Sequence, residues 1–434
     1  MNPLLRAAYG TVANVARALA SVAPARDGKF WRSFRARRGL GARYVAWAAA
    51  HRDPSRPLLW MHAPSVGEGL QARPVLELAR AERPDLQLAY TFFSPSAERL
   101  ARGLAVDFAE YLPFDTRADA RLTTAALRPT ALVFSKLDLW PVLTGEAARR
   151  GTRIGMISAT LAAGSSRRNP VAAALLRPAY ARLELVGAID AGDAERLVEL
   201  GVRREAIRVT GDTRYDQVWA RARAAGSGSA LLGPLASPRP TLVAGSTWPA
   251  DEAVLLPAWL DVRRRVRGAR LVVAPHEPTP AHLAPVERWA AANRIALARL
   301  GAPEAATADV VLVDRVGVLG DLYALADAAF VGGGFHAAGL HSVLEPAAFG
   351  APVLFGPRHE NSRDAGLLVA AGGGASVGDR EALAARLIEW LGDARAGEAA
   401  GSQAQRLVEE GLSAARRSWE LVLELLREGR ASTT

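Results

Sequence analysis

Short apolar runs recur along this chain, each followed by a polar loop and then by a stretch with helical spacing. In the first half they are Leu58 to His62, Leu88 to Phe92, Ala131 to Phe134, Ile154 to Ser158, Leu185 to Ile189 and Ile207 to Gly211. Runs this short and this apolar suit strands buried on both faces, and their alternation with helices predicts a parallel sheet covered on both sides. The pattern stops at Arg221 to Pro240, a stretch rich in Ala, Gly, Ser and Pro. It resumes with Thr241 to Ala244, Leu271 to Ala274, Val310 to Val313, Ala328 to Val331 and Pro352 to Phe355. Two doubly wound α/β domains follow, which suits a chain of 434 residues, half of them apolar. The expected divisions are a basic segment at 1–50, a first domain at 51–220, a linker at 221–240 and a second domain at 241–434. Helical spacing from Glu381 to Arg427 predicts closing helices on the second domain.

Cysteine is absent, which removes disulfides, thiolate zinc sites and a cysteine nucleophile. The formal charge is +10 and is written almost wholly in arginine, with Lys29 and Lys136 the only lysines. In such a chain a retained lysine marks a place for a compact ammonium. At the N-terminus Arg6, Arg17, Arg26, Lys29, Arg32, Arg35, Arg37, Arg38 and Arg43 face one acid, Asp27. Without interleaved aromatics or a nucleic-acid module, this basic collar points to anionic lipid rather than to nucleic acid. Pro3 to Val22 is apolar but interrupted by Arg6 and Arg17, and reads as an interfacial amphipathic helix rather than a span. A helix simply packed on its own domain is the alternative.

Ligands of open α/β sheets bind beyond the carboxyl ends of the strands, so the chemistry is sought in those loops. After the first run come Ser65, Gly67 and Glu68 at the start of a helix. Glu68 is either a complement to the helix dipole or a general base. A second loop holds Lys136 and Asp138, where Lys136 either pairs with an acid or holds an anionic substrate. In the second half Ser246 and Thr247 precede a helix and offer an anion site. His276 ends the next strand. The triplet Gly332, Gly333 and Gly334 is followed by His341 and Glu345, a pattern in which amides approach phosphate and the carboxylate reaches ribose. Arg358 lies in a further strand-end loop. The histidines show no zinc spacing and no Asp-x-Asp pair is present, so no metal and no cofactor are expected.

These loops, in order, resemble the transferases that move Kdo (3-deoxy-D-manno-octulosonic acid) from CMP-Kdo to a lipid A precursor. The resemblance is carried by Ser65-Val66-Gly67-Glu68, Leu139-Trp140-Pro141, Gly211 to Asp216, Ala244 to Thr247, Phe330 to Gly333 continuing to His341, Leu344 to Ala348 and Phe355-Gly356-Pro357. It departs at Ser135 to Asp138, where many members have Glu-Thr-Glu, and at His276-Glu277, where many have Arg-His. The segments Gly211 to Asp216, Gly245 to Pro249 and Ala274 to Glu277 look more like the Bacteroidetes-type branch. The resemblance implies a GT-B fold, two Rossmann-like domains facing a cleft, on the cytoplasmic face of the bacterial inner membrane. It implies an inverting transfer with Glu68 as base and a first domain that takes the lipid, with Ser65, Gly67, Lys136 and Asp138 the candidates to bind the acceptor or a carboxylate and Lys136 the candidate for the Kdo carboxylate or a lipid phosphate. The second domain would hold CMP-Kdo through Ser246, Thr247, His276, the glycine triplet, His341, Glu345 and Arg358. A nucleotide-sugar epimerase of the same fold, or a silent lipid- or nucleotide-binding adaptor, are the rivals.

Overall fold

The computed structural model describes residues 3–26, 28–225, 229–337 and 339–427. Of the features expected above, Asp27, the Lys29 side chain, residues 226–228 of the linker and the tail 428–434 lie outside the described residues. The chain divides into two compact units, Met1–Gln217 with Ser413–Thr434, and Val218–Leu412.

The first unit is built on β1 (Leu58–His62), β2 (Gln87–Phe92), β3 (Phe108–Tyr111), β4 (Ala131–Ser135), β5 (Arg153–Ala159), β6 (Leu185–Ala188) and β7 (Ile207–Val209). They form one parallel sheet in the order β3-β2-β1-β4-β5-β6-β7. β1, β2 and β4 are buried along their whole length, which is why their runs carry no polar alternation. The second unit holds β8 (Thr241–Thr247), β9 (Arg270–Pro275), β10 (Leu297–Arg299), β11 (Val310–Leu312), β12 (Ala328–Val331), β13 (Val353–Phe355) and β14 (Gly374–Ser376). Their order is β10-β11-β9-β8-β12-β13-β14, again parallel. Both units are therefore doubly wound, as expected. The strand order reverses between β1 and β4 in the first unit and between β8 and β12 in the second.

Two divisions differ from expectation. The helix Arg214–Ala224 runs through the start of the expected linker, and the boundary falls within it, after Gln217. The final helix, Ala414–Arg427, belongs to the first unit and not to the second. Its Trp419, Leu421, Val422 and Leu425 are buried in the first unit's core. Gly155 on β5 makes room for it, because a Cβ there would lie 2.3 Å from Leu425 Cδ1. Asp216 fixes its start by accepting the Ser413 and Ala415 amides, each at 2.9 Å. Asp212, four residues before, is buried and held by Arg214 at 2.7 Å and Gln71 at 3.0 Å. The Gly211 to Asp216 segment thus ties the chain's end to its first unit.

Part of the basic collar is engaged by the fold's own carbonyls and acids, although Arg6, Arg17, Arg26, Arg32, Arg38 and Arg43 stay exposed. Arg37 is buried, donating to the carbonyls of Leu112, Ser33 and Phe93 and lying 3.9 Å over the Phe93 ring. Burial lowers its pKa to about 10, against the raising effect of Tyr111, Tyr44 and Glu110. Arg35 donates to the Pro24 and Arg26 carbonyls, Arg38 to those of Ala20 and Ala23, and Arg43 pairs with Glu110 at 2.6 Å. Spacing alone could not separate arginines that face solvent from arginines that close a segment's own carbonyls.

The helix Pro3–Val22 rests on the first unit through Ala13 and Ala20, with Arg17 paired to Asp119 at 2.9 Å and Tyr9 donating to Asp115 at 2.8 Å. Asp115 also accepts the Val142 and Leu143 amides at 2.8 Å, capping the helix Pro141–Arg149. Burial pushes Asp115 from its ordinary 3.8 up to about 6, against its three hydrogen bonds and with the charge of Asp138. Because the folded value lies above the unfolded one, its contribution to stability is complete below about pH 4 and is lost as pH rises through about 6. A shift of this size corresponds to about 3 kcal/mol. The stability of the wild type relative to Asp115→Asn should fall by that order between pH 4 and pH 7 in urea titrations; parallel curves would contradict the burial of a titrating carboxyl.

Candidate active site

In each unit the two loops beside the reversal of strand order are where a ligand is expected. In the first unit they follow β1 and β4. β1 ends at His62, and the chain passes through Ala63 and Pro64 to Ser65, which opens the helix Val66–Glu82. Glu68 stands in its first turn, accepts a short hydrogen bond from Ser65 Oγ and lies 3.4 Å from Lys136 Nζ. Ser135 Oγ donates to the Glu68 carbonyl at 3.0 Å, joining the two loops. Lys136 adopts φ 67, a left-handed conformation that costs a side chain about 1–2 kcal/mol. Its amide is held by the Ile157 carbonyl at 2.9 Å, so the strained turn that aims it at Glu68 is fixed from β5. Gly67 is exposed, and a Cβ there would meet only Ser65 Oγ, 3.9 Å away.

The structure brings Ser65, Gly67, Glu68 and Lys136 to one rim. Asp138 stands in a separate group on the same loop, where Trp140 Nε1 donates to it at 3.0 Å and His62 Nε2 lies at 3.4 Å. The other ring nitrogen of His62 meets Thr91 Oγ1 at 3.0 Å. Burial raises the Asp138 carboxyl, but the hydrogen bond and charge of His62, with Trp140 and Arg167, outweigh it and hold the group below the usual carboxylate range.

In the second unit the loops follow β8 and β12. Ser246 bulges out of β8 at φ 55, and its hydroxyl has no partner among the described residues. Thr247 differs from expectation, since it is buried and its hydroxyl is committed to Glu252 at 2.8 Å. Of this pair only Ser246 keeps a hydroxyl for a ligand. The glycine triplet also differs. The Gly332 amide is used by the Gly245 carbonyl at 2.9 Å, and the Gly333 amide by Asp251 at 2.8 Å. Asp251, fully buried, further accepts from Phe335 N at 3.0 Å and Trp248 N at 2.9 Å. What the glycines supply is space. A Cβ on Gly332 would lie 2.3 Å from the Ser246 carbonyl oxygen, and one on Gly334 would lie 2.5 Å from the Gly356 amide nitrogen. Three strand-end loops thereby meet backbone to backbone.

Around that junction stand the remaining expected residues. Arg358 donates its amide to the Gly334 carbonyl at 2.9 Å, and its exposed guanidinium has no partner among the described residues. Glu345, in the short helix Leu344–Ala348, is half-buried with no hydrogen bond to its carboxylate among the described residues. Burial raises its pKa, with Arg221 opposing and Asp321 adding. His276 and His341 stack at 4.4 Å. Three residues not singled out by sequence complete the group. Trp248 stacks with His276 and with His336, at 4.7 Å and 4.5 Å, and Asn361 brackets the Leu340 amide and carbonyl, each at 3.0 Å. An acid three residues into a helix that follows a strand was the one signal by which Asp251 could have been found. Among the described residues no three His, Asp or Glu side chains are grouped to hold a metal ion.

Comparison with known proteins bears on both units. Residues 33–217 match the family described as 3-deoxy-D-manno-octulosonic-acid transferase. The 3-deoxy-D-manno-octulosonic acid transferase of Chlamydophila psittaci is 32% identical over 316 residues, covering 71% of each chain. The Bordetella pertussis enzyme of that name is 30% identical over 352 residues, 77% of this chain and 81% of the other. Among solved structures, UDP-GlcNAc 2-epimerase from Neisseria meningitidis bound to UDP-GlcNAc superposes with a TM-score of 0.62 at 12% identity, over 86% of this chain and 100% of that one. At that identity the likeness is one of fold.

Proposed function

The chain belongs to the 3-deoxy-D-manno-octulosonic acid transferase family, and from that premise we propose that this glycosyltransferase moves Kdo from CMP-Kdo to a lipid A precursor with inversion of configuration. The observation that carries the reading is the placing of Glu68, a partly exposed carboxylate beside the strand reversal of the first unit with a lysine 3.4 Å away. Glu68 takes the proton of the acceptor hydroxyl as that oxygen bonds to the anomeric carbon and the bond from carbon to the CMP phosphate breaks. Lys136 receives the anionic group that arrives beside the base. In the second unit Ser246, His276 and Arg358 meet the leaving phosphate, so that fixed protein donors and cations stabilise the charge that develops there. Glu345, its carboxylate uncommitted, takes the ribose hydroxyls. The reaction is tested by offering the folded protein CMP-Kdo with lipid acceptor and, separately, UDP-GlcNAc. Acceptor-dependent consumption of CMP-Kdo alone is the expected result. Epimerisation of UDP-GlcNAc without acceptor would overturn it.

We propose further that the protein works at the cytoplasmic face of the inner membrane, held there by the helix Pro3–Val22. No helix among the described residues is long and apolar enough to cross a membrane. Leu4, Val12, Val15, Leu19 and Val22 nevertheless stand exposed along one stripe of this helix, at the spacing of an interfacial face. The stripe supports the reading together with the exposed arginines of the collar, Arg6, Arg17, Arg26, Arg32, Arg38 and Arg43. Replacing Val12 and Val15 by Asp should release the protein from sedimenting vesicles of anionic phospholipid; retention equal to wild type would remove the helix from this role.

A further inference from the structure

Three imidazoles and an indole are packed at the glycine loop of the second unit. Trp248 stacks with His276 at 4.7 Å and with His336 at 4.5 Å, and His276 stacks in turn on His341 at 4.4 Å. The indole N–H of Trp248 donates to His341 Nε2 at 3.2 Å. An indole can only donate, so His341 Nε2 is an acceptor and carries no proton, and the ring is neutral. Burial first, and then the charge of His276, push His341 below the usual imidazole range; Asp251 works the other way and His336 adds to the fall. A proton on His341 would also break the bond to Trp248.

His276 is placed differently. It is exposed, and neither ring nitrogen has a hydrogen-bond partner among the described residues. Its face lies on the π cloud of Trp248, which favours a cation above it. Two of the acids nearby are engaged, Asp251 by three backbone amides and Glu252 by Thr247. Glu277, the next residue in the chain, is exposed and its carboxylate has no hydrogen-bond partner among the described residues. Arg358 is the permanent cation of the adjoining loop.

We infer that His276 is a switchable cation of this site, taking one proton from solvent as the phosphate of a nucleotide arrives and holding it on the face of Trp248. The inference rests on the reading that the second unit binds the nucleotide. Within the cluster His341 is held neutral by the Trp248 indole, and His276 is the imidazole whose ring is exposed with both nitrogens open to a ligand.

The test is calorimetric titration of the full chain with CMP near neutral pH, in several buffers of different ionisation enthalpy. CMP titrates in this range itself, so the comparison is between wild type, His276→Gln and Trp248→Leu. Wild type should take up on the order of half to one proton more per CMP than His276→Gln, and its affinity should weaken from about pH 6 to about pH 8.5 while that of His276→Gln changes less. Trp248→Leu should lie between them. His276 is exposed, so His276→Gln folds. Equal proton uptake in wild type and His276→Gln overturns the inference and leaves the nucleotide reading intact. A folded wild type that does not bind CMP overturns both.

Discussion

Glu68→Gln should lower Kdo transfer by about 10²- to 10⁴-fold while leaving the fold and CMP binding unchanged. The amide keeps the shape of the carboxylate and a partner for Ser65 Oγ, but it cannot take a proton from the acceptor hydroxyl. A carboxylate in the first turn of a helix also complements the helix dipole, which contributes only about 0.3–1 kcal/mol. The two roles are therefore separated by magnitude. If Glu68 only serves the helix, the variant melts slightly earlier and transfers Kdo at nearly the wild-type rate. If it is the base, the melting temperature barely moves and the rate collapses.

Asp251→Ala should have the largest effect on stability. Its carboxylate holds the amides of Trp248, Gly333 and Phe335 in a fully buried position. Removing it leaves three N–H groups without their acceptor, at about 1–3 kcal/mol each. Even the low end of the sum is a large part of the margin by which a domain is folded. Asp251→Asn retains one acceptor oxygen but turns an N–H₂ towards a donor, and should fall between Ala and wild type. Urea unfolding followed by tryptophan emission reads the loss, and CMP binding should weaken with it as the loops after β8 and β12 part. A loss below about 1 kcal/mol would mean that water replaces the carboxylate and that the loops are not held by it.

How much of this was legible in the sequence depended on burial. The strands in the middle of each sheet read clearly because both faces are covered and each carries an apolar run of four residues or more. The strands missed were β3, β10 and β14, each at a sheet edge. Their sequences, Phe-Ala-Glu-Tyr, Leu-Ala-Arg and Gly-Ala-Ser, carry too little apolar signal because half their surface has no neighbour to bury it. The last helix was legible as a helix but not as part of the first unit, since a 3.6-residue period records that a face is buried and not what buries it. The site followed the same rule. Glu68, Lys136, Ser246 and Arg358 could be proposed from the sequence because each lies in a loop that follows an apolar run, and the structure has those loops at strand ends. The inward turn of Thr247, the use of the glycine amides by Asp251 and Gly245, and the stacking on Trp248 depend on contacts between loops far apart in the chain, which no local pattern encodes.

The most direct test of the central claim is the mass of a tetraacylated lipid A precursor after incubation with this protein and CMP-Kdo generated in place, for wild type beside Glu68→Gln. The account predicts a gain of one or more Kdo units with wild type and none with the variant over the same time. A folded wild type that binds CMP yet leaves the lipid mass unchanged would contradict it.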